Sequence, residues 1–260
     1  MNYLRFGNPC GEAFVILPGL SLKSVLINAD GIRRAYAPLA ARYEVILPDR
    51  VPEMPDGYTI AAMAADTLAA LDALSLSRFH LMGVSMGGMI AQTLAASAPS
   101  RVRSLILCST AMSASYANQA VLADWETRAT AHDTAALMTS FCENVYTPAF
   151  FARFREVIAA AGAGATPLDF HNFLASLAAL KTFDASALLP RVTCPALVLG
   201  AGEDRIFAEN AATDLAEALH ASCRIFEGFG HAAYDEAPDY LSVILAFLES
   251  LPPQNADNLL

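Results

Sequence analysis

Lysine is almost missing from this chain. Only Lys23 and Lys181 occur, and 16 basic against 26 acidic side chains leave a net charge of −10 over 260 residues. No segment gathers positive charge into a stripe, so a nucleic-acid partner, which needs a clustered basic face, is not expected. The acidic balance bears on solubility rather than on fold. Cysteine is sparse and unpatterned: Cys10, Cys108, Cys142, Cys194 and Cys223 are odd in number and include no Cys-x-x-Cys pair. Such spacing fits neither a disulfide framework nor a zinc site, so no metal and no other cofactor is expected. Cys108 and Cys194 lie in apolar runs and are read as buried thiols of a reducing compartment. Long apolar runs are absent too. Hydrophobic residues make up 55% of the chain, but alanine supplies much of that. Nothing approaches the ~18 consecutive apolar residues of a membrane span. The first residues, Met1-Asn2-Tyr3-Leu4-Arg5-Phe6-Gly7, do not join a basic stretch to an apolar one as a signal peptide does. The expectation is a cytoplasmic protein that handles a small molecule away from membranes, with homo-oligomer formation left open.

What the chain does have is an alternation of strands and helices. Phe14-Val15-Ile16-Leu17 predicts a buried strand ending at Pro18-Gly19, and Tyr43-Glu44-Val45-Ile46-Leu47 a second, ending at Pro48-Asp49-Arg50. Residues 78–84 and 102–107 read as a third and a fourth strand. Helical spacing occupies 32–42, a stretch capped by Thr59 to about Leu74, and 86–98. Short apolar strands separated by helices of about a dozen residues imply crossover units and a parallel sheet. Residues 111–187 break this pattern, with helical runs only. They hold the single tryptophan, Trp125, and seven of the 14 phenylalanines: Phe141, Phe150, Phe151, Phe154, Phe170, Phe173 and Phe183. The alternation resumes with Ala196-Leu197-Val198-Leu199-Gly200, a helix over 209–219, the strand Cys223-Arg224-Ile225-Phe226 and a helix over 239–251. The fold class predicted is therefore α/β, a mostly parallel central sheet with helices on both faces. Residues 1–110 and 188–251 form its core, 111–187 an inserted helical cap, and 252–260 a frayed tail.

The informative segment is Met82-Gly83-Val84-Ser85-Met86-Gly87-Gly88-Met89, a Gly-x-Ser-x-Gly run between an apolar strand and an alanine-rich helix. A serine exposed on a sharp strand-to-helix turn leaves no room for side chains two residues before and after it, hence the glycines. The turn lifts the hydroxyl to the carboxyl edge of the sheet, where open α/β sheets bind ligands. The helix that follows points its positive end there. A serine hydroxyl is a weak nucleophile until a base takes its proton. His80 falls inside a strand, His132 and His171 in the cap, and His220 at a helix end. His231, in Phe229-Gly230-His231-Ala232, follows the last strand and so reaches the same edge. A carboxylate must orient it, and Asp204 in Gly200-Ala201-Gly202-Glu203-Asp204 is the candidate, with Glu203 and Asp49 as rivals. Two backbone donors should face the developing oxyanion: the N–H of Met86 and that of Leu20, in Pro18-Gly19-Leu20-Ser21.

Four motifs together resemble the α/β-hydrolase superfamily, capped branch: Gly83-Val84-Ser85-Met86-Gly87-Gly88, Ala98-Pro99-Ser100-Arg101-Val102, Gly202-Glu203-Asp204, and Gly230-His231 leading to Glu236-Ala237-Pro238. The elbow is similar to that of enol-lactonases, small-ester hydrolases and carbon–carbon bond hydrolases. The resemblance covers nearly all of the chain outside the cap, and it implies a Ser85–His231–Asp204 serine hydrolase. Two departures stand out. The His-Gly usual in the oxyanion loop is replaced by Pro18-Gly19, and the usual Gly-His-Gly-x-Ser stretch by Val51-Pro52-Glu53-Met54-Pro55. The leading expectation is hydrolysis of a small carboxylic ester or lactone through an acyl-enzyme. A carbon–carbon bond hydrolase would use cap arginines such as Arg128, Arg153 and Arg155 to hold an acidic substrate. A ligand receptor without turnover is the reading from another class, and a dehalogenase would need aspartate in place of Ser85.

Within the cap, Trp125, Phe150 and Phe154 are the candidate substrate-binding side chains. A helix over 147–161 puts Phe150 and Phe154 on one face at a spacing of four. An apolar roof favours small uncharged acyl groups, each buried methylene contributing about 0.8 kcal/mol, until the roof closes on longer ones. The expected outcome is that kcat/KM peaks at short acyl chains in a series from acetyl to palmitoyl esters. A steady rise to the longest chain would mean an open, lipase-like cleft.

Overall fold

The computed structural model describes residues 1–252, apart from the side chains of residues 158, 159 and 161. Of the tail expected at 252–260, residues 253–260 lie outside the described residues. Seven strands form one sheet: β1 (Tyr3–Gly7), β2 (Ala13–Leu17), β3 (Glu44–Pro48), β4 (Phe79–Val84), β5 (Val102–Cys108), β6 (Ala196–Ala201) and β7 (Ser222–Phe226), in the spatial order β1-β3-β2-β4-β5-β6-β7. Only the β1–β3 pair is antiparallel. The expectation of a mostly parallel α/β sheet holds. β1 is an addition to it, for the short edge strand buries only Leu4 and offers little apolar signal. Arg5 and Glu44 tie it to β3 through bonds of 2.8 and 2.9 Å.

The central strands are buried on both faces, and their side chains alternate between two cores. Val15, Leu17, Leu81, Leu105, Leu107 and Val198 pack with the helices Ile60–Ala73, Met86–Ser97 and Ala211–Ala218. Phe14, Ile16, Met82, Val84, Ile106 and Leu199 pack on the other side with Leu39 and with Tyr240, Ile244 and Leu248 of the helix Tyr240–Ser250. This period of two is the pleat of the sheet. The helix expected over 32–42 is instead two short pieces, Ala29–Ala35 and Ala37–Ala40. Pro38 accounts for the break, since its ring has no N–H and collides with the carbonyl four residues back. Cys108 is buried as expected, whereas Cys194 is only half-buried. No described helix is long and apolar enough to cross a membrane.

Between β5 and β6 the chain leaves the sheet for four helices, Gln119–Thr130, Thr134–Val145, Pro148–Ala161 and Pro167–Lys181. All four begin with side-chain caps, from Asn118, Asp133, Thr147 and Thr166, which satisfy N–H groups that a helix start leaves open. The outgoing and returning segments run side by side, Ala114 N–H donating to the Phe183 carbonyl at 2.8 Å and Ala185 N–H to Met112 at 2.8 Å. The inserted helices form a cap over the carboxyl edge of the sheet. At that edge end β2, β4, β5, β6 and β7, all parallel. The sheet topology thereby collects the segments after Leu17, Val84, Ala201 and Phe226 at one place.

Candidate active site

Ser85 follows β4 with φ 53° and ψ −121°, a conformation that L-residues avoid. Backbone strain of this kind costs about 1–3 kcal/mol and persists only where its surroundings enforce it. Here the enforcement is visible. The Ser85 N–H donates to the Cys108 carbonyl at 2.8 Å, and the Thr110 hydroxyl donates to the Ser85 carbonyl at 2.8 Å. A Cβ added to Gly83 would lie 2.6 Å from Gly88 Cα, one on Gly87 2.6 Å from the Pro18 oxygen, and one on Gly88 2.6 Å from the Thr110 methyl. The glycines are therefore a requirement of close packing around the turn.

The hydroxyl of Ser85 meets Nε2 of His231 at 3.0 Å. On the other side of the ring, Nδ1 lies 2.8 Å from Asp204 Oδ2. An ionised carboxylate only accepts, so Nδ1 carries the proton and Nε2 is left to accept from Ser85. Asp204 Oδ1 is held in turn by the backbone N–H groups of Ile206 at 2.7 Å and Phe207 at 3.1 Å. His231 is 3% exposed and packs against the Phe207 ring. Its loop is fastened to the cap, Ala232 N–H donating to the Val145 carbonyl at 2.9 Å. The rivals are elsewhere: the Glu203 side chain is exposed, and Asp49 accepts from the Ser24 hydroxyl. Of the other histidines, His80 is buried between Ser104 and Glu12, and burial holds its pKa down. His171 bonds the Met54 carbonyl, and His132 stacks on Phe170.

Ser85 and His231 open onto a cavity of about 580 Å³ between the sheet edge and the cap. That is within the usual ~300–1,000 Å³ of small-molecule sites. Trp125, Phe141, Tyr146, Phe150 and Phe173 line it from the cap, and Leu20, Leu22 and Ile32 from the sheet side. Trp125 and Phe150 are thus at the cavity as expected. Phe154 is not among its lining residues and packs instead on Phe150, with ring centroids 4.5 Å apart. The shared helix face was predicted correctly, but the second ring supports the first from behind. Arg128 pairs with Asp124, Arg153 lies over Phe154 and Arg155 over Phe151. None of the three lines the cavity.

Residues 12–238 match the family model of the alpha/beta hydrolase fold. The chain belongs to the α/β-hydrolase fold family. Two relatives provisionally named carbamate hydrolase RutD are each 30% identical to it. The one from Pseudomonas syringae pv. syringae aligns over 76% of this chain and 78% of its own. The one from Variovorax paradoxus aligns over 95% and 96%. Among solved structures, the enol-lactonase from Burkholderia xenovorans LB400 superposes with a TM-score of 0.81 at 23% identity, covering 95% of this chain and 96% of that one. A thermophilic esterase from Thermogutta terrifontis gives 0.77 at 22%, covering 95% and 92%. These structural likenesses show the shared fold.

One departure of this α/β hydrolase from the family pattern finds its structural counterpart in Arg50. Its Nη2 donates to the Pro18 carbonyl at 3.0 Å and to the Gly19 carbonyl at 2.9 Å. Burial pushes the guanidinium down to about 10, so it stays charged at neutral pH. The Gly19 carbonyl and the Leu20 N–H belong to one planar trans peptide and point opposite ways. Holding the first fixes the direction of the second. Gly19 itself sits against Ser85, where an added Cβ would be 3.2 Å from Ser85 Cβ. In the sequence Arg50 marked only the end of a strand, because nothing local links it to the Gly19 carbonyl 31 residues earlier. Losing one oxyanion donor costs about 10²–10³ in kcat. Arg50→Met, which frees the peptide without deleting it, is expected to lower kcat on a p-nitrophenyl ester by a smaller factor, with KM little changed. An unaltered kcat would show that the loop holds itself.

Proposed function

We propose that the protein hydrolyses a small carboxylic ester or lactone through an acyl-enzyme on Ser85. The observation that carries this reading is the hydrogen-bonded relay Asp204–His231–Ser85 opening onto a largely apolar, substrate-sized cavity. His231 Nε2 takes the hydroxyl proton as Ser85 Oγ attacks the acyl carbon. The N–H groups of Leu20 and Met86 receive the oxyanion, the second being one of the open donors at the start of the helix Met86–Ser97. As the tetrahedral adduct collapses, the alcohol oxygen leaves with the proton from His231, and in a lactone it remains tethered to the acyl group. Water, deprotonated by the same nitrogen, then attacks the acyl carbon, and Ser85 departs with the proton. Trp125 and Phe150 line the cavity that would hold the substrate, and Phe154 buttresses Phe150.

The names of the relatives and of the two structures compared above (carbamate hydrolase, enol-lactonase, esterase) describe cleavage between an acyl carbon and a heteroatom, although the fold is shared also with a meta-cleavage product hydrolase. A carbon–carbon bond hydrolase acting on an acidic substrate has less support, since the cap arginines it would use do not line the cavity. A receptor without turnover would have no use for a relay bonded at every link.

A fluorophosphonate probe is expected to label wild type on Ser85 and to leave Ser85→Ala unlabelled. Asp204→Asn keeps the shape but favours the wrong imidazole tautomer, which costs about three to four orders of magnitude in kcat. Glu203→Gln is expected to cost far less. Steady-state turnover of p-nitrophenyl acetate by the three variants checks this. Full activity in Ser85→Ala, or a larger loss in Glu203→Gln than in Asp204→Asn, would overturn the assignment.

A further inference from the structure

The cavity has a polar end that the acyl-transfer chemistry does not use. Asp235 lies four residues beyond His231, in the short helix Ala233–Glu236, and its side chain is exposed to the same cavity as Ser85 and His231. The Tyr146 hydroxyl donates to Asp235 Oδ2 at 3.0 Å. Tyr36 and Tyr234 also line this end, and Phe150 stacks on Tyr146 at 4.9 Å. Neighbouring Glu236 is already engaged, accepting from the Thr147 N–H at 2.9 Å and from its hydroxyl. Asp235 has no arginine or lysine at ion-pair distance among the described residues. Lys23, the other formally charged side chain lining the cavity, donates to the Ala163 carbonyl at 2.7 Å.

A carboxylate offers about four acceptor sites, and Tyr146 fills one. The side chain is open to the cavity, but the protein packed around it still desolvates it and pushes Asp235 up to about 6; the Tyr146 bond opposes the rise and Glu236 adds to it. The ionised form is therefore under-compensated, and a cation arriving in the cavity would restore what desolvation removed. The tyrosine rings act in the same sense, because an aromatic face attracts a cation, most strongly where water is excluded. A carboxylate among aromatic rings, at one end of an otherwise apolar chamber, is chemistry suited to an ammonium group. It is ill suited to an anion.

We propose that Asp235, with Tyr36, Tyr146 and Tyr234, forms a subsite for a cationic ammonium group carried by the substrate. The inference rests on the hydrolase reading and narrows its substrate class to amine-bearing esters or lactones. The cation can sit on either side of the scissile bond, so the test has two arms. On the alcohol side, acetylthiocholine is compared with its neutral isostere 3,3-dimethylbutyl thioacetate. On the acyl side, methyl 6-aminohexanoate is compared with methyl heptanoate. In wild type the cationic member of at least one pair is expected to win in kcat/KM by roughly tenfold or more, the scale of a hydrogen bond to a charged group for the primary ammonium and of a desolvated cation–π contact for the quaternary one. In Asp235→Asn that ratio should fall to about one, and Asp235→Lys should turn the preference toward the acidic counterpart, monomethyl adipate. The ratio should also grow as pH rises through about 6, where Asp235 ionises. Taking a ratio cancels pH effects common to both substrates. Tyr36, Tyr146, Tyr234, Glu236 and Lys23 are the other titratable groups facing this end. Fluorophosphonate labelling of Ser85 in each variant reports that the site is intact. Calorimetric binding of phenyltrimethylammonium, expected in wild type and lost in Asp235→Asn, reads the subsite without turnover. Failure of every ester together with an unlabelled Ser85 would overturn the hydrolase reading, and the ammonium probe would still decide the subsite. Neutral esters turned over with no cationic preference, or a preference that survives in Asp235→Asn, would overturn the subsite alone.

Discussion

The left-handed backbone at Ser85 is the constraint from which the rest of the site follows. A serine at φ 53° between a parallel strand and a helix must be held there against its own preference. β5 and the segment after it do this from one side, through the Cys108 carbonyl and the Thr110 hydroxyl. Close packing does it from the other, with Gly83, Gly87 and Gly88 pressed against each other, against the loop after β2 and against Thr110. That crowding also brings Gly19 beside Ser85, which puts the Leu20 peptide next to the serine. A side chain at Gly83 or Gly87 would displace backbone, and one at Gly88 would collide with the Thr110 side chain.

The elbow and the histidine loop were legible in the sequence because each depends on a few consecutive residues. Gly83-x-Ser85-x-Gly87 states its own sterics, and His231 was separated from four other histidines by its place after the last strand. Asp204 was one of three acids in reach. Its backbone donors, Ile206 and Phe207, distinguish it from Glu203, and no sequence pattern displays them. Arg50 and Asp235 were missed for a related reason. Arg50 acts across 31 residues on the Gly19 carbonyl, and Asp235 meets Tyr146 across 89. β1 was missed because an edge strand with one buried side chain has almost no periodic signal. Pro38 did carry a signal, a helix break inside 32–42, that the apolar spacing around it masked.

The cap contributes shape more than charge. Its aromatic residues divide into those facing the cavity, such as Trp125 and Phe150, and those behind them, such as Phe154. A helical spacing of four cannot separate the two, since both lie on one face. The segment Val145–Thr147 joins the cap to the His231 loop through Ala232, Asp235 and Glu236. A substrate that fills the cavity would touch the same short stretch that positions His231. Under the proposed function, recognition and catalysis would be mechanically close, and cap variants near Tyr146 would affect both.

The account stands on Ser85 being the nucleophile and on the peptides at Leu20 and Met86 being the oxyanion donors. The most direct measurement is a crystal structure of the protein inactivated by a small alkyl phosphonate, whose phosphonyl oxygen stands where the oxyanion would be. The expected result is phosphorus bonded to Ser85 Oγ, with the phosphonyl oxygen within about 2.7–3.1 Å of both the Leu20 and Met86 nitrogens. An adduct on another residue, or an oxygen turned away from both nitrogens, would contradict it.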